Sequence, residues 1–186
     1  MTARIDPAAQ PYSEAVQKTL DRVMPPGVPP LALFTTLARS ERAFSRFMAA
    51  GLIDKGPISL KEREIMIDRT CVRAGSEYEW GVHVALFAER AGLTKAQIAG
   101  TTARQVDQEI WTERERLIIR LADELHDNAT IGEDLWPAVS AAFSVEQILE
   151  LILLAGFYRT VAYLTNGLRL PLESFGARFS GERERK

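Results

Sequence analysis

Apolar positions recur along the chain at three- and four-residue intervals, and the two-residue alternation of a half-buried strand is nearly absent. The pattern predicts an all-α protein of eight or nine helices. A first amphipathic helix is expected over 12–24, with Ser13 as its N-cap. The run Pro25-Pro26-Gly27-Val28-Pro29-Pro30 ends it as a stiff connector, because proline lacks an amide donor and restricts the residue before it. Residues 31–50 read as one further helix, closed by Gly51 at the C′ position.

Beyond Gly56-Pro57, helix starts are marked by capping boxes, in which a Ser or Thr and a Glu or Gln three positions later satisfy each other's free amides. They stand at Ser59/Glu62, Thr94/Gln97, Thr112/Glu115 and Ser144/Gln147. They predict helices over 60–74, 95–100, 113–128 and 145–168; Ser76 opens another, over 77–91. Gly75 and Gly92 are the stops before and after that helix. Residues 132–142 are expected to be helical if Pro137 falls in the first turn. The organisation that follows is a helical arm over 1–55, a helical domain over 56–180 and a flexible tail over 181–186.

Composition narrows the function classes. Hydrophobic residues are 46% and charged residues 26%, and the net charge of −2 leaves no basic surplus for nucleic acid. The lone Cys71 rules out an internal disulfide or a Cys-x-x-Cys pair, and His83 and His126 alone offer little to a metal, so no metal site is expected. Residues 1–10 have no apolar stretch of signal-peptide type, and the apolar run at 148–158 is interrupted by Glu150. It falls short of the roughly 20 residues of a bilayer span. The expectation is a cytoplasmic protein without membrane contact.

The chemistry-bearing stretch runs from Glu64 to His83, two helices joined by the Gly75-Ser76 turn. Glu79 and His83 stand at i and i+4 on one helix face, beside an apolar stripe of Trp80, Val84 and Phe87. Glu64, Ile67, Asp68 and Cys71 share a face of the preceding helix. If the hairpin closes there, Glu64, Glu79 and His83 converge on a partly buried pocket, where burial and carboxylates act on the imidazole. The same spacing fits a surface ion pair. Cys71 reads equally as a small core residue, Tyr78 and Trp80 as packing residues, and His126 as a partner of its helix's last carbonyls.

The sequence Leu60-Lys61-Glu62-Arg63-Glu64, followed by Cys71-Val72-Arg73-Ala74-Gly75-Ser76-Glu77-Tyr78-Glu79-Trp80-Gly81-Val82-His83-Val84, resembles the carboxymuconolactone decarboxylase / alkylhydroperoxidase D-like family. Ala91-Gly92-Leu93-Thr94 and Tyr163-Leu164-Thr165-Asn166-Gly167-Leu168 are similar to later parts of it. The resemblance implies a multihelical alkylhydroperoxidase D-like fold, a homo-oligomer (trimer or hexamer) with sites near subunit interfaces, and a small-molecule substrate. The peroxidase branch carries Cys-x-x-Cys before the histidine, but those positions are Ser76 and Glu79 here. Disulfide-coupled peroxide reduction needs two thiols, so an antioxidant role ranks last.

The decarboxylase branch carries a glutamate four residues before the histidine, as Glu79 and His83 stand here. It implies cofactor-independent acid/base chemistry, decarboxylation or a related proton transfer, on a small unsaturated lactone or organic acid. In that reading His83 shuttles the proton, Glu79 orients it and Glu64 tunes the pair. Ser76, Tyr78, Trp80 and Arg73 are the candidate substrate-binding residues, Arg73 as a carboxylate clamp. The alternative is a non-catalytic binding or scaffolding member of the fold.

Overall fold

A computed structural model describes residues 2–179; the expected tail at 181–186 lies outside them. The described residues form nine helices and no strand: α1 (Glu14–Val23), α2 (Ala32–Leu37), α3 (Glu41–Ala50), α4 (Leu60–Arg73), α5 (Glu77–Phe87), α6 (Lys95–Thr102), α7 (Glu113–Asn128), α8 (Trp136–Ala142) and α9 (Val145–Gly167). All four capping boxes form, with both reciprocal bonds present. Pro137 sits in the first turn of α8, where its missing amide costs nothing.

The segment 31–50 departs from its expectation. It is two helices, because Ser40 accepts from the Ala43 amide and starts α3 afresh. Hydrophobic periodicity runs through this break, which only the local capping bond reveals. Gly51 has an extended backbone, not a left-handed one. Likewise α5 stops at Phe87, and the chain reaches Gly92 through turns.

Helix α4 is the centre of the molecule. Every residue from Arg63 to Val72 is buried, so charged side chains there must find partners inside. Helix α7 lies beside it in parallel, tied by Lys61–Glu115 at 2.7 Å, Arg69–Asp123 at 2.6 Å and Arg73–Asp127 at 2.5 Å. Arg69 also donates to the Thr101 and Ala103 carbonyls, which holds the end of α6 against the same helix. Helix α9 has the length and composition of a membrane span, and its Ile148, Leu151, Leu154, Tyr158 and Val161 pack into the core. Val16, Leu20, Leu33 and Phe44 of the arm join that core, so the helices of the arm pack onto the rest.

After α9 the chain returns as a strap across α5. The Ala177 amide donates to the Gly81 carbonyl at 2.9 Å, and Phe179 lies 5.0 Å from the Trp80 ring. A Cβ at Gly81 would fall 2.3 Å from the Ala177 carbonyl oxygen. Gly81→Ala is therefore expected to displace the strap and cost about 1–3 kcal/mol, the scale of overpacking, read as a lowered thermal midpoint.

Candidate functional site

The turn between α4 and α5 is built for a reversal. Gly75 has φ of 70°, a conformation that side chains disfavour, and its amide donates to the Val72 carbonyl at 3.0 Å. The Ser76 amide donates to the Cys71 carbonyl at 2.9 Å, completing a Schellman closure of α4. Ser76 Oγ then accepts from the Glu79 amide and starts α5. The two helices fold back on each other, and His83 meets Glu64.

His83 Nδ1 lies 2.7 Å from Glu64 Oε2, and Nε2 lies 3.4 Å from Glu79 Oε1. Arg63 donates from Nε to Glu64 Oε1 at 3.0 Å and from Nη1 to the Ile53 carbonyl at 2.6 Å. The result is a row of alternating charge: Arg63, Glu64, His83, Glu79. All are interior, with Glu64 at 1%, His83 at 4% and Glu79 at 6% exposure. A surface ion pair, one sense of the i, i+4 spacing, is thereby excluded.

Burial opposes a charge on His83, but the Glu64 charge and the bonds to Glu64 and Glu79 win, raising its pKa to about 10. At neutral pH both ring nitrogens are donors, so the site holds its proton at rest. The ring is fixed by Tyr158, edge-on at 5.0 Å, and by Phe87 at 5.1 Å.

Two further buried groups adjoin the row. Asp68 is buried with neither carboxylate oxygen hydrogen-bonded. Burial, then the Glu64 charge, pushes its pKa well up. Burial likewise pushes up the Cys71 thiol, followed by the charges of Glu79, Asp68 and Glu64, and no nucleophilic thiolate forms there.

His83 and Glu79 open onto a cavity of about 480 Å3, within the range of small-molecule sites. Glu64 stands behind His83. The cavity's far wall comes from the arm, with Met24, Phe34, Phe47 and Ile53, and α9 supplies Phe157 and Tyr158.

The hairpin thus brings Glu64, Glu79 and His83 together, and the four candidate binding residues lie elsewhere. Arg73 is engaged by Asp127 and Asp123 on α7. Ser76 Oγ lies 2.8 Å from Thr165 Oγ1, and the Trp80 indole donates to Thr101 Oγ1 at 3.0 Å. The Tyr78 hydroxyl donates to Glu173 and accepts from the Leu33 amide. None of the four lines the cavity; each ties one element to another. His126, expected at its helix's carbonyls, instead contacts the Arg159 guanidinium. Burial and that cation lower its pKa.

Sequence reasoning placed Asp68 on the Glu64 face without giving it a role, and missed Arg63, Tyr158 and the arginines at the cavity mouth, Arg22 and Arg90. Only the charged residues inside α4 carried a signal: four of them in seven positions (63, 64, 68 and 69) of a helix otherwise apolar there.

No curated protein matches the chain. Residues 38–124 match the carboxymuconolactone decarboxylase family. Among solved structures, the chain is similar to an uncharacterized peroxidase-related protein from Silicibacter sp. TM1040, at 16% identity over 92% of both chains and a TM-score of 0.80. It is similar to a cysteine-to-alanine variant of the debrominase Bmp8 in complex with 2,3,4-tribromopyrrole, at 14% identity over 94% of both chains and a TM-score of 0.74. A third is a protein of unknown function from Agrobacterium tumefaciens, for which an AhpD-type antioxidant defence role has been suggested; it shares 21% identity over 73% of this chain and 94% of that one, with a TM-score of 0.62. At these identities the likeness shows the fold: all-α, multihelical and AhpD-like. Residues 38–124, just under half of the chain, thus match the carboxymuconolactone decarboxylase family within an AhpD-like fold, and the chain carries a single cysteine.

Proposed function

We propose that the protein is an enzyme of cofactor-independent acid/base chemistry, acting by decarboxylation or a related proton transfer on a small unsaturated lactone or organic acid. One observation carries this reading: an imidazolium held between two carboxylates at the floor of a largely apolar cavity. Such a group delivers a proton into a site where little water competes.

In a decarboxylation the bond to the departing carboxylate breaks and carbon dioxide leaves. The electron pair passes into the conjugated system of the substrate. His83 Nε2 then donates its proton to the carbon, becoming neutral while Nδ1 keeps its bond to Glu64. The proton lost is regained from water before the next turnover. In an isomerisation the site must also remove a proton. Glu79, which lines the cavity beside His83, is the carboxylate that would accept it. Glu64 and Arg63 touch no substrate and act by positioning His83 and setting its charge.

A screen of unsaturated lactones and small carboxylic acids tests the proposal, with carbon dioxide release and proton exchange in deuterated water as readouts. Turnover of at least one compound, lost with His83, is expected; no turnover across the set favours the binding-protein alternative. Cys71→Ser is expected to keep that turnover within about twofold, because a buried neutral thiol takes no part. Its complete loss in a folded variant would restore a thiol mechanism. A cytoplasmic location and a homo-oligomer (trimer or hexamer) belong to the same proposal, the oligomer alone supported by the exposed Leu149, Leu153 and Tyr163 along α9. A monomer by light scattering removes that part.

A further inference from the structure

We infer that the ligand of this cavity is an apolar, ring-bearing compound with an anionic group, which Arg22 and Arg90 bind at the mouth while the ring points to His83. The inference rests on reading the cavity as the substrate site and goes beyond it in assigning the ligand's polarity and direction.

Charge decides the direction. At the floor, His83 is already neutralised by Glu64 and Glu79, and Glu79 has a carboxylate oxygen with no hydrogen-bond partner among the described residues. An anion inserted there would meet a negative edge in a poorly solvated space. The mouth is the reverse. Arg22, in the last turn of α1, and Arg90, just beyond α5, both line the cavity, are exposed, and make no ion pair among the described residues. Arg63, Arg69, Arg73 and Arg114 each hold a carboxylate of the protein itself. Asp54 lines the cavity beside the two cations. Two guanidinium groups from different elements suit a carboxylate, which accepts bonds at both oxygens.

Spacing decides the length. The His83 ring lies 5.1 Å from the Phe87 ring, and the Arg90 guanidinium carbon lies 6.0 Å from the same ring. One aromatic side chain separates the proton donor from the cation, so a ligand ring laid along Phe87 spans the two. The opposite walls, Phe34, Phe47 and Phe157, offer aromatic faces to such a ring. The anchoring anion is therefore not the group that reacts at His83, so of the two reactions proposed for the site this ligand fits the related proton transfer rather than decarboxylation. Arg22 and Arg90 take the clamp role expected of Arg73.

Naphthalene-2-carboxylate and naphthalene-2-carboxamide, matched in shape and differing in charge, test this by calorimetric titration of the full chain. The carboxylate is expected to bind about tenfold tighter than the amide, a preference that weakens with added salt. In Arg22→Gln/Arg90→Gln the two affinities should converge, with each single variant intermediate. Nuclear Overhauser contacts should join the naphthyl protons to the His83 ring. Equal affinities in the unaltered protein, a preference surviving in the folded double variant, or no binding of either probe overturns the inference. The single variants and the amide control need no turnover. A carboxylate preference that follows the arginines in a protein without activity would leave the inference standing and the catalytic reading refuted.

Discussion

His83→Gln is expected to lower turnover by about 10²–10⁴-fold, the usual contribution of a general acid or base, with KM changed far less. Glutamine nearly preserves the volume and can still donate to one carboxylate, but it cannot give up a proton. The ring is held by Glu64 at 2.7 Å, by Tyr158 and by Phe87, so its proton is aimed before substrate arrives. Because the pKa of His83 is raised to about 10, the active protonated form persists across neutral pH. The rate should therefore fall on the alkaline side, not near pH 6.5. A folded His83→Gln protein that retains full turnover removes the imidazole from the mechanism.

Glu64→Ala is expected to be the most destabilising substitution in the site, at about 3–5 kcal/mol, the cost of breaking a buried ion pair by removing one member. Two buried cations, Arg63 and His83, both lean on this one carboxylate. Denaturant midpoints would measure the loss. The pH dependence gives an independent reading. The folded protein holds the His83 proton more tightly than the unfolded chain does. The stabilisation is thus complete below the ordinary histidine value of 6.5 and disappears as pH rises towards about 10. Glu64→Gln, which keeps the shape and removes the charge, should flatten that alkaline slope. An unchanged slope would show that the proton on His83 is not coupled to Glu64.

Helix starts were legible in the sequence because capping is a contact between residues three apart, and the four boxes form as read. The same holds for the Gly75 turn, where one left-handed residue closes α4. The break between α2 and α3 was not legible: apolar positions continue through it, and a serine inside a periodic stretch does not announce itself as a cap. Arg73 illustrates a different failure. Its place in the chain suited a substrate clamp, but Asp127 and Asp123, 54 and 50 positions later, had already claimed it.

By itself the sequence determined the all-α class, the hairpin from Glu64 to His83 and the absence of a second thiol. Each of these follows from contacts within a turn or two of the chain, or from counting. Only the tertiary structure decided that α4 is surrounded on all sides, which turns Glu64, Asp68 and Arg63 from solvated charges into interior ones. It alone placed the arm and α9 over His83 as the walls of a cavity. Desolvation depends on everything that packs around a group, most of it distant in sequence. That is why the spacing of Glu79 and His83 could mark the pair, while the charge on His83 and the polarity of what it faces needed the whole fold.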